Sequence, residues 1–94
     1  MTSTPPDVRH NAHEQRFETT VDGHLNVADY VLNNGVLVMT HTAVHPSLQG
    51  RGIAGALVET ALAYAQREGL RVDPVCSYVR GYLQRHPEWA ALHA

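Results

Sequence analysis

The stretch His41-Thr42-Ala43-Val44-His45-Pro46-Ser47-Leu48-Gln49-Gly50-Arg51-Gly52-Ile53-Ala54-Gly55 decides how the rest of the chain is read. Apolar and β-branched residues lead in, Pro46 stops them, and three glycines follow. From Ile53 the period changes. Ile53, Leu57, Ala61 and Tyr64 fall on one helical stripe, with Ala54, Val58, Leu62 and Ala65 beside them. A helix N-terminus carries free backbone N–H groups and a positive dipole end, and glycines let an anion come close. This strand, glycine turn and helix therefore form a candidate phosphate site.

Upstream of that stretch, residues 15–21 end at Asp22-Gly23, a hairpin signal. In residues 24–32, Leu25, Val27 and Val31 alternate with Asn26, Ala28 and Tyr30, as in a second strand. Asn34-Gly35 makes another turn into residues 36–44, whose poor alternation predicts a strand covered on both faces. Downstream, Gly69 and Leu70 suit a helix C-terminus. Residues 71–75 form a short strand parallel to the one before the helix, because a helical crossover joins them. Residues 78–85 form a last helix that His86-Pro87 ends. Trp89 is expected to pack the remaining tail on the body. The order β-β-β-α-β-α gives an α+β domain, an antiparallel meander followed by a parallel βαβ crossover, with two main helices.

With 94 residues, the chain is one small domain. Residues 1–14 are polar, contain Pro5-Pro6 and read as a flexible leader. The net charge of −2 gives no field that would draw nucleic acid. Cys76 is the single cysteine, so an internal disulfide and a multi-cysteine metal site are excluded. No apolar run suggests a signal peptide or a membrane span, and the expected setting is the cytoplasm. His41 and His45 would sit about 13 Å apart on a strand, too far for a ligand pair, and no metal is expected. Asp73, Glu59 and Glu68 read as solvated charges.

Gly50, Gly52 and Gly55 spell G-x-G-x-x-G. A dinucleotide fold is nonetheless rejected. His45 to Gln49 separate the glycines from their strand, and the preceding strands form a meander. A P-loop requires a lysine, and this chain has none.

Started one residue earlier, Gln49-Gly50-Arg51-Gly52-Ile53-Ala54 has the form Q-x-x-G-x-A. It resembles the acyl-CoA signature of the GNAT acetyltransferase superfamily. His41-Thr42-x-Val44, Pro74-x-Cys76 and Tyr82-Leu83-x-Arg85-His86-Pro87-Glu88-Trp89 extend the resemblance to a small single-domain branch. What the resemblance implies is a minimal GNAT-like acetyltransferase domain over 15–94. Acetyl-CoA would be the acyl donor, held by Val44, Gln49, Gly50, Arg51, Gly52, Ile53 and Ala54, with Arg51 adding charge. The acceptor would be an amine of a small molecule, peptide or protein. Tyr82 matches the tyrosine that protonates the leaving thiolate. Cys76 lines the acetyl pocket or, alternatively, accepts the acetyl group. His41 is the candidate base. The alternative function is a non-catalytic acyl-CoA binding or sensing module. Larger relatives insert two helices between the first two strands, where this chain has only Asp22-Gly23. An open acceptor side follows, or one completed by a second copy; a homodimer suits so short a core.

Overall fold

The computed structural model describes residues 6–94. Five strands form one sheet in the order β1-β2-β3-β4-β5. They are β1 (Arg9–Asn11), β2 (Arg16–Val21), β3 (His24–Asn33), β4 (Val36–Ala43) and β5 (Arg71–Pro74). The first four pair antiparallel and β5 runs parallel to β4. Helix α1 (Ile53–Glu68) crosses from β4 to β5, and α2 (Ser77–Arg85) follows β5. No described helix is long and apolar enough to cross a membrane.

The turns obey local chemistry. Val21 pairs with His24, and Asn33 with Val36, so both hairpins have two-residue loops. Asp22 and Gly23 have φ of 51° and 77°, Asn34 and Gly35 of 51° and 79°. Positive φ at both central positions matches the right-handed twist of the strands, and Asp-Gly and Asn-Gly tolerate it. Helix α1 ends on Gly69 in the left-handed region, with Leu70 N–H bonded to Ala65 O at 2.8 Å.

Two expectations are corrected. The proposed leader of residues 1–14 contains β1, which pairs with β2; residues 1–5 lie outside the described residues. Residues 12–15, not Asp22-Gly23, therefore join the first two strands; composition missed β1 because its residues are polar and the Tyr30 and Tyr64 rings that meet His10 are distant in sequence. The His10 ring stacks on Phe17 at 4.4 Å and its Nε2 meets the Tyr30 hydroxyl at 2.6 Å. Nor is β4 covered twice. Phe17, Ala28, Tyr30, Leu37, Met39 and Val72 share one buried core with Leu57, Leu62 and Val79 of the helices. Val36 and Val38 point the other way and are only half-buried.

In β3 the alternation is real, but its polar member faces inward. Asn26, Ala28 and Tyr30 are buried while Leu25 is 50% exposed. The tail forms a 3-10 turn (Pro87–Leu92), with Trp89 packed on the core as expected. His93 then bridges Val72, and Ala94 N–H donates to Val72 O at 2.8 Å, covering part of the β5 edge.

Candidate functional site

The site begins where the sheet opens. Asp29 opposes His41, but Tyr30 opposes Met39, so Thr40 is an extra residue, a β-bulge in β4. The β4–β5 ladder ends at Met39 and Pro74. Pro74 has no N–H to continue it, and Val75 turns back to bond Asp73 O at 3.0 Å. Cys76 N–H makes a last bond to Met39 O, 2.9 Å, before α2 begins. Residues 41–43 thus pair with β3 alone, and their other edge, with no strand partner, forms a slot closed where Cys76 meets Thr42. The Thr42 hydroxyl and Cys76 Sγ are 3.6 Å apart.

The slot runs into a cleft of about 470 Å³. Val44, Leu48 and Ile53 supply apolar wall, Gln49, Gly50, Gly52 and Ala54 the glycine turn, and Thr42 and Tyr78 the slot end. Gly50 and Gly52 have φ of 83° and 80°, open to glycine and costly for other residues. Gly52 is the N-cap of α1, without a side-chain cap and without an acidic residue in the first turn. The first helical bond is Ala56 N–H to Gly52 O, so the Ile53, Ala54 and Gly55 amides precede it without intrahelical acceptors. Three amides, a positive dipole end and no local carboxylate make a donor set suited to a phosphorylated ligand.

Six of the seven residues expected to hold a cofactor line this cleft: Val44, Gln49, Gly50, Gly52, Ile53 and Ala54. Arg51 is absent from its lining. Its guanidinium turns outward to Asp22 Oδ2 at 3.0 Å, with both side chains more than half exposed. Such a surface pair adds little stability.

The expected chemical residues divide. Cys76 is half-buried at the N-cap of α2 beside Thr42. Burial alone would raise its thiol pKa. The Val79 amide, the Thr42 hydroxyl, the Tyr78 amide and the Thr42 backbone outweigh that, and the net pKa falls below 9.0. Cys76 itself is not among the residues that line the cleft.

Tyr82 lies behind the cleft wall, 5% exposed. Its hydroxyl donates to Glu59 Oε2 at 3.4 Å and the His86 ring stacks on it at 4.0 Å. Burial and the Glu59 carboxylate push its pKa up to about 12. Glu59 is exposed, as its reading as a solvated charge expects, and it also accepts this proton. The hydroxyl at the cleft belongs to Tyr78, one turn earlier on α2. It packs beside Gly55 of α1, where even a Cβ would stand 3.6 Å from the Tyr78 oxygen, an ordinary contact. The i, i+4 spacing of the two tyrosines is the signal that sequence reading left unused. His41 is exposed and shares the outer sheet face with its partner Asp29, opposite to Thr42. No group of metal-ligating side chains occurs among the described residues.

The Tyr82 shift has a consequence for stability. A pKa raised on folding contributes fully below the unfolded value of 10.0 and is lost as pH climbs toward about 12. The melting temperature therefore falls across that window, and Tyr82→Phe flattens the fall; an equal decline in the variant would show that Tyr82 is not its source.

Comparison with known proteins agrees with this geometry. Residues 16–92 match the family described as GCN5-related N-acetyl-transferase. Protein NATD1 of Gallus gallus and of Mus musculus are each 29% identical over 87 residues, covering 88% of this chain and 78% of theirs. The Xenopus tropicalis protein is 27% identical over 84 residues, covering 85% of this chain and 76% of its own. The NMR solution structure of a GCN5-like putative N-acetyltransferase from Staphylococcus aureus shares the fold, with a TM-score of 0.76 at 19% identity, over 98% of this chain and 91% of that one. Strand, bulge, slot and glycine turn thus sit in a chain that belongs to the GCN5-related N-acetyltransferase family.

Proposed function

We propose that this protein transfers an acetyl group from acetyl-CoA directly to an amine. The observation that carries the reading is the uncapped N-terminus of α1, opening on a cleft that also takes in Thr42 at the unpaired edge of β4. The Ile53, Ala54 and Gly55 amides, with the α1 dipole, receive the diphosphate. The free edge of β4 near Thr42 offers backbone groups to the amide-bearing arm. When bound, acetyl-CoA supplies an activated thioester.

Amide formation needs a proton for the departing sulfur and an acceptor for the amine's proton. Tyr78, with its hydroxyl at the slot, takes the role of acid, and Tyr82 stands behind it. Cys76 lines the acetyl pocket. Its proximity to Thr42 and its lowered pKa favour a reactive thiol. Iodoacetamide alkylation of Cys76 accordingly reaches half its limiting rate below pH 9.0, and acetyl-CoA slows it. A midpoint above 9.0 would contradict that environment. His41 and Asp29 lie on the helix-free face of the sheet. An amine reaching the slot from that side meets His41 as acceptor of its proton.

The test is a titration with acetyl-CoA followed through backbone amides by NMR, then a thiol-release assay with a panel of amines. Shifts at Gly50, Gly52, Ala54 and Cys76 together with turnover support transfer. Binding without turnover would make the protein an acyl-CoA binding module. No shifts at millimolar acetyl-CoA would end the cofactor reading.

A further inference from the structure

We infer that Asn26 is a positioning residue for the cofactor turn, acting through the backbone of His45; this rests on the acetyl-CoA reading above. Asn26 is fully buried at 0% exposure in β3, between Leu25 and Val27. Strands bury what the register turns inward, and a slip of one residue exchanges the faces. Hydrophobicity alone would turn Leu25, Val27 and Val31 inward. The fold leaves Leu25 and Val31 exposed at 50% and 46% and puts an amide in the core.

Every direction of that amide is used. Nδ2 donates to Thr19 O at 3.2 Å and to His24 O at 3.1 Å. Oδ1 accepts from the His45 N–H at 2.8 Å. The reverse orientation would set the side-chain oxygen against two carbonyls, so the network itself assigns the amide. Two bonds hold Asn26 within the β2–β3 hairpin. The third reaches a different part of the chain, the first residue after Val44.

His45 begins the turn that shapes the cleft. Its carbonyl accepts from Leu48 N–H at 2.8 Å and its Nδ1 from Ser47 N–H at 3.2 Å. Val44 and Leu48, on either side, are cleft wall. The same hairpin touches the turn twice more. His24 stacks on the His45 ring at 3.6 Å, and Asp22 holds Arg51. The Asp22–Arg51 pair is on the surface, whereas the bond to His45 comes from the fully buried Asn26 side chain. The β2–β3 hairpin thus braces the glycine turn, and Asn26 is its buried anchor.

Asn26→Leu keeps the branched shape and removes all three bonds. Expected is a rise of tenfold or more in the Kd for acetyl-CoA, the scale of one unmet buried hydrogen bond. Faster hydrogen exchange at His45 and Leu48 accompanies it, with β3–β4 amides near Tyr30 unchanged. Wild-type affinity and unchanged exchange at His45 in the variant would overturn the inference. Should Asn26→Leu fail to fold, exchange in the wild-type protein decides: the His45 amide is protected like those of β3, and exchange as fast as at exposed Ser47 would overturn it. If the wild-type protein does not bind acetyl-CoA, the functional reading fails while the exchange measurements still test the brace.

Discussion

Gly52→Val raises the Kd for acetyl-CoA by about 100-fold while the domain still folds. Two separate costs combine. Gly52 has φ of 80°, where an L-residue loses about 1–2 kcal/mol, and a β-branched one is placed worse. That strain falls on the N-cap of α1, so the three free amides move with it. The second cost is steric and falls only on the complex. A Cβ at Gly52 meets no protein atom within 4 Å, so it does not disturb packing. It projects instead toward the open cleft that Gly52 lines. Each factor of ten in affinity is about 1.4 kcal/mol, so about 100-fold needs under 3 kcal/mol from strain and exclusion together. Gly52→Ala separates the two, carrying the backbone strain with a smaller side chain and a smaller loss. Calorimetric titration with thermal melts on both variants measures this. Wild-type affinity in Gly52→Val would show that the turn does not hold the ligand.

Tyr78→Phe lowers kcat by about 100-fold, the lower end of what a positioned acid contributes. KM for acetyl-CoA changes little, because the hydroxyl is needed only as the sulfur departs. Tyr82→Phe leaves kcat within about threefold of wild type, since an interaction outside the transition state adds nothing to turnover. The reason is where each proton resides. The Tyr82 hydroxyl is directed at Glu59, and at a pKa of about 12 it releases its proton poorly. The Tyr78 hydroxyl lies beside Gly55, and both residues line the cleft. Steady-state kinetics on both variants with any accepted amine distinguishes them. A large loss in Tyr82→Phe with none in Tyr78→Phe would return the acid role to Tyr82.

Short-range chemistry was legible in the sequence. Asp22-Gly23 and Asn34-Gly35 specify two-residue turns because those residues accept positive φ. The stripe from Ile53 to Ala65 specifies α1, and Gly69 its end, because helical side chains recur every three or four residues. The parallel β5 follows from the crossover. Local chemistry marked the glycine turn as a candidate phosphate site, since a helix start exposes its own amides, and the resemblance to an acyl-CoA signature named Gln49, Gly50, Gly52, Ile53 and Ala54 within it. All five line the cleft.

Tertiary structure decided whatever depends on a partner far along the chain. Residues 9–11 become a strand only because β2 offers an edge and Phe17 and Tyr30 receive the His10 ring. Arg51 is drawn out of the site by Asp22, 29 residues away. The Tyr82 hydroxyl is engaged by Glu59 on another helix, 23 residues away. The inward face of β3 shows the reason most directly. Periodicity establishes that Leu25 and Asn26 point opposite ways, but not which one enters the core. That choice is made by groups the strand meets only after folding: Thr19 O on β2 and the His45 N–H beyond β4 fill the hydrogen-bonding capacity of Asn26, and a buried amide so satisfied can hold a position that apolar count alone would assign to leucine.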